Sequence, residues 1–201
     1  MNLRKIFQEK WVKKVGLMVF LIYLLGVVYL ILPGPDLPDL EPALRSTEPG
    51  DTWQIPGVWA FYTDLSRRES IDFFEKAFSQ SSLMNLPLLT FRLNHPPEYA
   101  RETIRDTLAS NFYEELIQPL RESLFISGWI PSEDQVYLSQ SKDPITYFEI
   151  EGNRYNGKIT LYYVQSPIWA RILVWTGIFI ASFVLAWMIS QVISSPWLKR
   201  K

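Results

Sequence analysis

Hydrophobic residues follow three different patterns along this chain. At either end they run without interruption: Val15–Leu32 reads VGLMVFLIYLLGVVYLIL and Ile172–Ile189 reads ILVWTGIFIASFVLAWMI, neither holding a charge. A helix rises about 1.5 Å per residue, so roughly twenty apolar residues cross a hydrocarbon core of about 30 Å. The pattern predicts transmembrane helices over 15–32 and 168–195. Short basic segments, 1–14 and 196–201, lie outside them.

Between the spans the pattern breaks into shorter pieces. Residues 33–57 hold Pro33, Pro35, Pro38, Pro42, Pro49 and Pro56 among several acids, which reads as an extended tether. Residues 58–167 read as a folded domain. Val58–Thr63 (VWAFYT) is rich in β-formers and apolar on both faces, and reads as a central strand. Ser66 and Glu69 form a capping box, so a helix should follow to about Ser79 with Ile71, Phe74 and Phe78 on one face.

Leu88–Leu93 reads as a second strand. Asn94-His95-Pro96-Pro97 breaks it, and Pro97 suits a helix start. Ile104, Leu108, Phe112 and Leu116 repeat every four residues, predicting a long helix from about Glu98 to Gln118. Leu120, Leu124 and Phe125 continue its face past a kink at Pro119, with Ser127-Gly128 ending it and Glu102 and Arg105 paired outside. Ile145–Glu151 and Arg154–Val164 predict a hairpin turning at Gly152-Asn153, with Asn156-Gly157 as a second turn signal. Strand, helix, strand, long helix and hairpin make an α+β domain flanked by two transmembrane α-helices.

Charge sorts along the same boundaries. The segment before the first span carries Arg4, Lys5, Lys10, Lys13 and Lys14 against Glu9, and Lys199, Arg200 and Lys201 follow the second. The region between is strongly acidic. Basic residues stay on the cytoplasmic side, so both termini are expected inside and the domain outside, in the plasma (cytoplasmic) membrane. Trp11, Tyr29, Trp169 and Trp197 are placed as interface anchors, and Arg171 as a snorkelling cation. The first span is too long for a signal-peptide core and ends in Leu32-Pro33-Gly34-Pro35 rather than a small-x-small site, which argues for an uncleaved anchor.

The strand ending Tyr62-Thr63-Asp64, running into a Ser-capped helix with Phe73-Phe74, resembles uncharacterised bacterial two-pass envelope proteins with an extracytoplasmic α+β domain. Arg121-Glu122-Ser123-Leu124-Phe125 with Gly128-Trp129, and Tyr155-Asn156-Gly157-Lys158-Ile159-Thr160-Leu161, carry the same resemblance. It spans most of the central domain. It implies a bacterial envelope protein and no known activity.

Candidate chemistry is sparse. No cysteine is present, which excludes disulfides, thiol catalysis and thiolate metal sites. His95, the only histidine, precedes two prolines, and no nucleophile elbow supplies a serine for it. Glu114 and Glu115 point about 100° apart on a helix and read as solvated surface. Glu133, Asp134 and Asp143 lack the spacing of a calcium loop. Gly50-Asp51-Thr52 reads as a linker turn rather than a phosphate loop. No catalytic residue, metal ligand or cofactor site is assigned, and the acidic domain disfavours nucleic acid.

Interaction signals are stronger. Gly177, Ala181, Ser182 and Ala186 give small-x-x-x-small spacings that let helix backbones approach, with Gly26 as a counterpart in the first span. Aromatics Trp53, Trp59, Trp129 and Tyr137 offer contact area, and Trp129 is the candidate partner contact. Together these point to a non-enzymatic membrane protein that binds the bilayer and a protein partner, or a second copy of itself. The alternative is an envelope hydrolase or small-ligand sensor using the acidic loop Ser132–Asp143.

Overall fold

A computed structural model of the chain describes residues 3–48, 51, 56–104 and 110–194, with side chains in the terminal helices from 13 and up to 192. Trp53, Arg105, Leu108 and Trp197 lie outside the described residues, as does the side chain of Trp11. The chain divides into two compact units: the terminal helices, and Pro33–Gln165.

In chain order the elements are α1 (Leu3–Ile31), β1 (Ala43–Arg45), β2 (Val58–Thr63), α2 (Arg67–Phe78), β3 (Phe91–His95) and α3 (Ala100–Thr103). They continue with β4 (Phe112–Gln118), β5 (Glu122–Trp129), α4 (Gln135–Gln140), β6 (Phe148–Ile150), β7 (Asn153–Tyr155), β8 (Gly157–Gln165) and α5 (Ile168–Ser194). Six strands form one antiparallel sheet in the order β1-β2-β8-β5-β4-β3, and β6 and β7 pair separately. The protein is therefore α+β, with two apolar helices at its ends.

The strand over 58–63 and the capped helix that follows occur as the sequence predicts. Ser66 accepts from the Glu69 amide and the Glu69 carboxylate accepts from the Ser66 amide. Helix α2 lays Ile71, Phe74 and Phe78 on the sheet against Phe61, Phe112, Leu116, Leu124, Ile126, Ile159 and Leu161, all buried. This is the main core.

The predicted long helix is not formed. Helical turns stop at Thr103, and Phe112–Gln118 and Glu122–Trp129 are paired strands. A spacing of four is even, so Phe112 and Leu116 keep to one side of a strand as well as of a helix. On β4 that side also carries Glu114 and Gln118, and all four are buried. Pro119 sits in the β4–β5 turn rather than in a kink; Leu120 has φ 64° and the Arg121 amide donates to Gln118 O at 2.9 Å.

Two further expectations are revised. The hairpin turns at Glu151-Gly152 (φ 53° and 79°) and joins only the three-residue strands β6 and β7. Asn156 then separates β7 from β8, which pairs with β2 and β5 in the middle of the large sheet. The tether, for its part, is built into the domain. Ala43–Arg45 pairs with β2, and Leu40 is 1% exposed in the core.

A buried polar network gathers at the end of the sheet that carries Pro33 and the β4–β5 turn. Arg121 donates to Pro33 O at 3.3 Å, Glu122 Oε1 at 3.2 Å and Gln118 Oε1 at 3.2 Å. The Tyr163 hydroxyl donates to Glu122, Ser81 donates to Pro33 O at 2.8 Å, and Gln118 donates to Phe78 O at 2.6 Å. The Arg121 and Glu122 side chains are fully buried. Removing two charges from water is tolerable only with such pairing.

Helices α1 and α5 include Lys13–Ile31 and Ile168–Val192, each long and apolar enough to cross a membrane. They meet through Tyr23, whose hydroxyl lies 3.1 Å from Thr176 Oγ1 and whose ring meets Phe179 edge-on. Trp175 donates to Tyr23 O at 3.2 Å and packs against Gly26, where a Cβ would collide with its ring.

Candidate functional site

The most developed polar site opens at the N-terminal end of α2. Alternation on β4 turns Glu114 toward α2, and pairing with β3 brings Arg92 to the same face beside Leu116 and Glu114. The capping box orients the first turn of α2, placing Arg67 over the sheet. Its guanidinium donates to Glu114 Oε1 through Nη2 at 2.5 Å and Nε at 3.1 Å, and stands 5.1 Å from the Phe112 ring centroid. Arg92 donates through Nε to the other oxygen, Oε2, and its Nη1 lies 3.6 Å from Asp72 and 3.5 Å from Glu75.

The Glu114 side chain is 2% exposed, against 34% and 37% for its two cationic partners. Burial alone would raise its pKa; hydrogen bonds from Arg92 and then Arg67, with their charges, outweigh that and hold it below the ordinary carboxylate range. Glu114 is thus a fixed anion at neutral pH, with both oxygens engaged. Above it lies an open cleft of about 480 Å³ whose rim includes Arg68, Asp72 and Glu133. Arrayed this way, the cleft offers a rigid floor and exchangeable charges at the rim. It is suited to recognising charge rather than to moving protons.

None of this site was assigned from the sequence. Glu114 reads there as solvated helix surface, because the segment was given the wrong period. Arg92 lies on the face of β3 turned toward Leu116 and α2, while the apolar Phe91 and Leu93 are exposed on the other face. Read as a strand, FYEELIQ turns Glu114 to the same face as Phe112 and Leu116; pairing sets Leu116 opposite Arg92 and leaves Glu114 diagonal to it.

His95 closes β3 rather than lying in a loop. Its Nε2 is 2.9 Å from Glu115 Oε2, and Ser123 donates to Glu115 Oε1 at 2.8 Å. Carboxylate, not imidazole, takes the serine proton, so the order needed to activate a nucleophile is missing. Glu114 and Glu115 fall on opposite faces of β4, each with its own partners. Asp134 is spent as the cap of α4, accepting from the Tyr137 amide at 2.9 Å. Among the described residues no group of three or more carboxylates or histidines is placed to share a metal ion.

Trp129 does not supply the exposed contact expected of it. Its indole is 9% exposed, enclosed edge-on by Tyr137 at 5.2 Å and Phe148 at 5.7 Å. The loop Ser132–Asp143 and strand β6 cover it, a long-range contact that local sequence does not reveal. Trp59 is likewise partly buried against the main core.

Of the helix-packing residues, Gly26 lies at the contact between α1 and α5. Gly177 does not: a Cβ there would meet nothing within 4 Å, and Ala181, Ser182 and Ala186 are exposed too. Trp175, Thr176 and Phe179 make the seam instead, through Tyr23. Tyr29 is half-buried and Trp169 is 70% exposed, whereas Arg171 is 3% exposed and folds onto helix-end carbonyls. It donates to Ser166 O at 2.8 Å and Leu30 O at 3.4 Å, which replaces the expected snorkelling.

No protein-family model, curated protein or solved structure matches the chain. Function is therefore argued from the site alone.

Proposed function

We infer that this is a two-pass membrane protein with both termini in the cytoplasm, whose sheet domain lies outside and binds a protein partner through the cleft above Glu114. The observation that carries the binding role is the Arg67–Glu114–Arg92 arrangement. Buried ion pairs add little net stability over apolar packing, so a fixed triad beneath an open charged rim is better matched to recognition. The partner is a polypeptide segment whose charges complement Arg68 on one side and Asp72 and Glu133 on the other.

Membrane insertion is supported by the two long apolar helices and by the positive flanks around an acidic centre. Assembly within the bilayer is supported by Gly177 and Ala181, which α1 leaves uncovered. A non-enzymatic role is supported by the geometry: Glu114 is held ionised, and Ser123 is bonded to Glu115 rather than to His95.

The deciding experiment is purification of tagged protein from its native membrane in mild detergent, with mass spectrometry of what accompanies it. A stoichiometric partner is expected, lost when Arg68→Glu and Glu133→Lys reverse the rim. Gly177→Ile with Ala181→Ile tests the bilayer contribution separately. A preparation free of any stoichiometric partner, or a partner indifferent to rim reversal, overturns the reading.

A further inference from the structure

The loop between α2 and β3 is the most apolar exposed segment of the sheet domain. From Ala77 to Phe91 no residue is charged, in a domain otherwise rich in acids. Leu83, Met84, Leu86 and Leu89 are 47%, 85%, 39% and 57% exposed, and Phe91 is 50% exposed. Scattered surface leucines are ordinary; a contiguous uncharged group of this kind is not.

Backbone geometry holds this loop open rather than letting it collapse. Gln80 pairs with Pro87, the Ser81 amide donates to Leu86 O at 2.8 Å and the Leu88 amide donates to Ser79 O at 2.8 Å. A tight turn closes the tip, with the Leu86 amide donating to Leu83 O at 3.2 Å. Met84 and Asn85 there have φ of 56° and 53°. Asparagine tolerates that region, but methionine seldom occupies it. The turn thus spends backbone strain to present its largest apolar side chain to the outside.

Position in the chain says what meets it. Ser81 donates to Pro33 O and the Ser82 amide donates to Gly34 O at 3.0 Å, so the base of the loop is fastened to the first residues of the domain. Pro33 follows the first apolar helix directly. At the same end of the sheet β8 finishes at Gln165, and two residues separate it from α5, which begins at Ile168. Leu120 and Val164, 38% and 39% exposed, lie at that end as well.

We propose that the Leu83–Leu89 loop is a membrane foot, inserting its apolar tip into the interfacial layer of the bilayer that the terminal helices cross. This rests on the two-pass reading above. An uncharged, strained apolar tip whose base is bonded to Pro33 and Gly34, the residues that follow the first apolar helix, fits the boundary between headgroups and acyl chains, where such groups bury to a depth of about 5–10 Å. The foot adds a third attachment of the chain to the bilayer besides the two apolar helices.

The chain has no cysteine, so a single introduced one is a unique label site. The full-length protein carrying Met84→Cys, or Leu83→Cys as a second foot variant, is labelled with an environment-sensitive fluorophore. It is then reconstituted in phosphatidylcholine–phosphatidylglycerol vesicles containing lipids spin-labelled near the headgroup. Leu25→Cys in α1 reports the span, and Val136→Cys, beyond the opposite end of β5, reports the free domain surface. A blue shift and quenching at 83, 84 and 25, with neither at 136, is the expected result. Quenching at 25 but not at 83 or 84 overturns the foot and leaves the two-pass reading standing. Absence of quenching at 25 overturns both, and equal quenching at 136 overturns the foot in favour of general adsorption.

Discussion

Gly34 lies directly against the buried carboxylate of Glu122. A Cβ at Gly34 would sit 2.8 Å from Glu122 Oε2 and 2.8 Å from the Tyr163 hydroxyl. Neither atom is free to retreat, since each holds the other and Arg121 holds Glu122 as well. Gly34→Ala is therefore expected to destabilise the domain by about 1–3 kcal/mol, the usual cost of overpacking. Denaturant unfolding of the purified protein checks this; an unchanged midpoint would show that the network yields.

Glu114 gives the domain a specific response to acid. Its pKa is lowered in the folded state, so its contribution is complete above the unfolded-state value, near 4.3 for glutamate, and is lost as pH falls through the lower folded value. Glu114→Gln should weaken the domain at neutral pH and flatten the stability profile below about pH 4.3. Unfolding midpoints of both proteins across the acid range test this. Parallel profiles would remove Glu114 as the titrating group.

Two glycines in the terminal helices should behave oppositely. Gly26→Leu collides with the Trp175 ring and is expected to separate α1 from α5, seen as lost crosslinking between cysteines placed in the two helices. Gly177→Leu meets open space and should leave that crosslink intact. Equal effects would mean that the seam lies elsewhere.

Trp129 offers a third contrast. Its indole N–H is buried and has no partner among the described residues, so Trp129→Phe removes an unmet donor along with some ring area. That change should cost far less than Trp129→Ala, for which about 3–5 kcal/mol is typical of a buried aromatic. Thermal unfolding of both variants provides the comparison, and similar losses would show that the N–H is satisfied.

Local signals were legible where one residue or one turn decides the structure. Ser66 and Glu69 announce α2, the β-formers of VWAFYT announce β2, and the charge-free terminal runs announce α1 and α5. Signals failed where two periods coincide. Phe112 and Leu116 fit a helix and a strand equally well, and only pairing of β4 with β3 and β5 decides between them. That single ambiguity concealed Glu114, because a strand turns it toward Arg67 and Arg92 while a helix leaves it in water. The burial of Trp129 was hidden for a related reason: its cover, Tyr137 and Phe148, comes from a loop whose path no local pattern specifies.

Strand β8 has a consequence for the order of folding. It is the last strand made and lies between β2 and β5, so until it emerges the sheet exists as two fragments, β1–β2 and β3–β4–β5, each with an unpaired edge. Register joins Val58 to Tyr162 across most of the domain, a separation that slows closure. The growing chain must keep two sticky edges apart through the whole synthesis of β6 and β7. Once β8 zips them together, α5 is the next segment to appear, so completion of the sheet and delivery of the second apolar helix fall almost together in time.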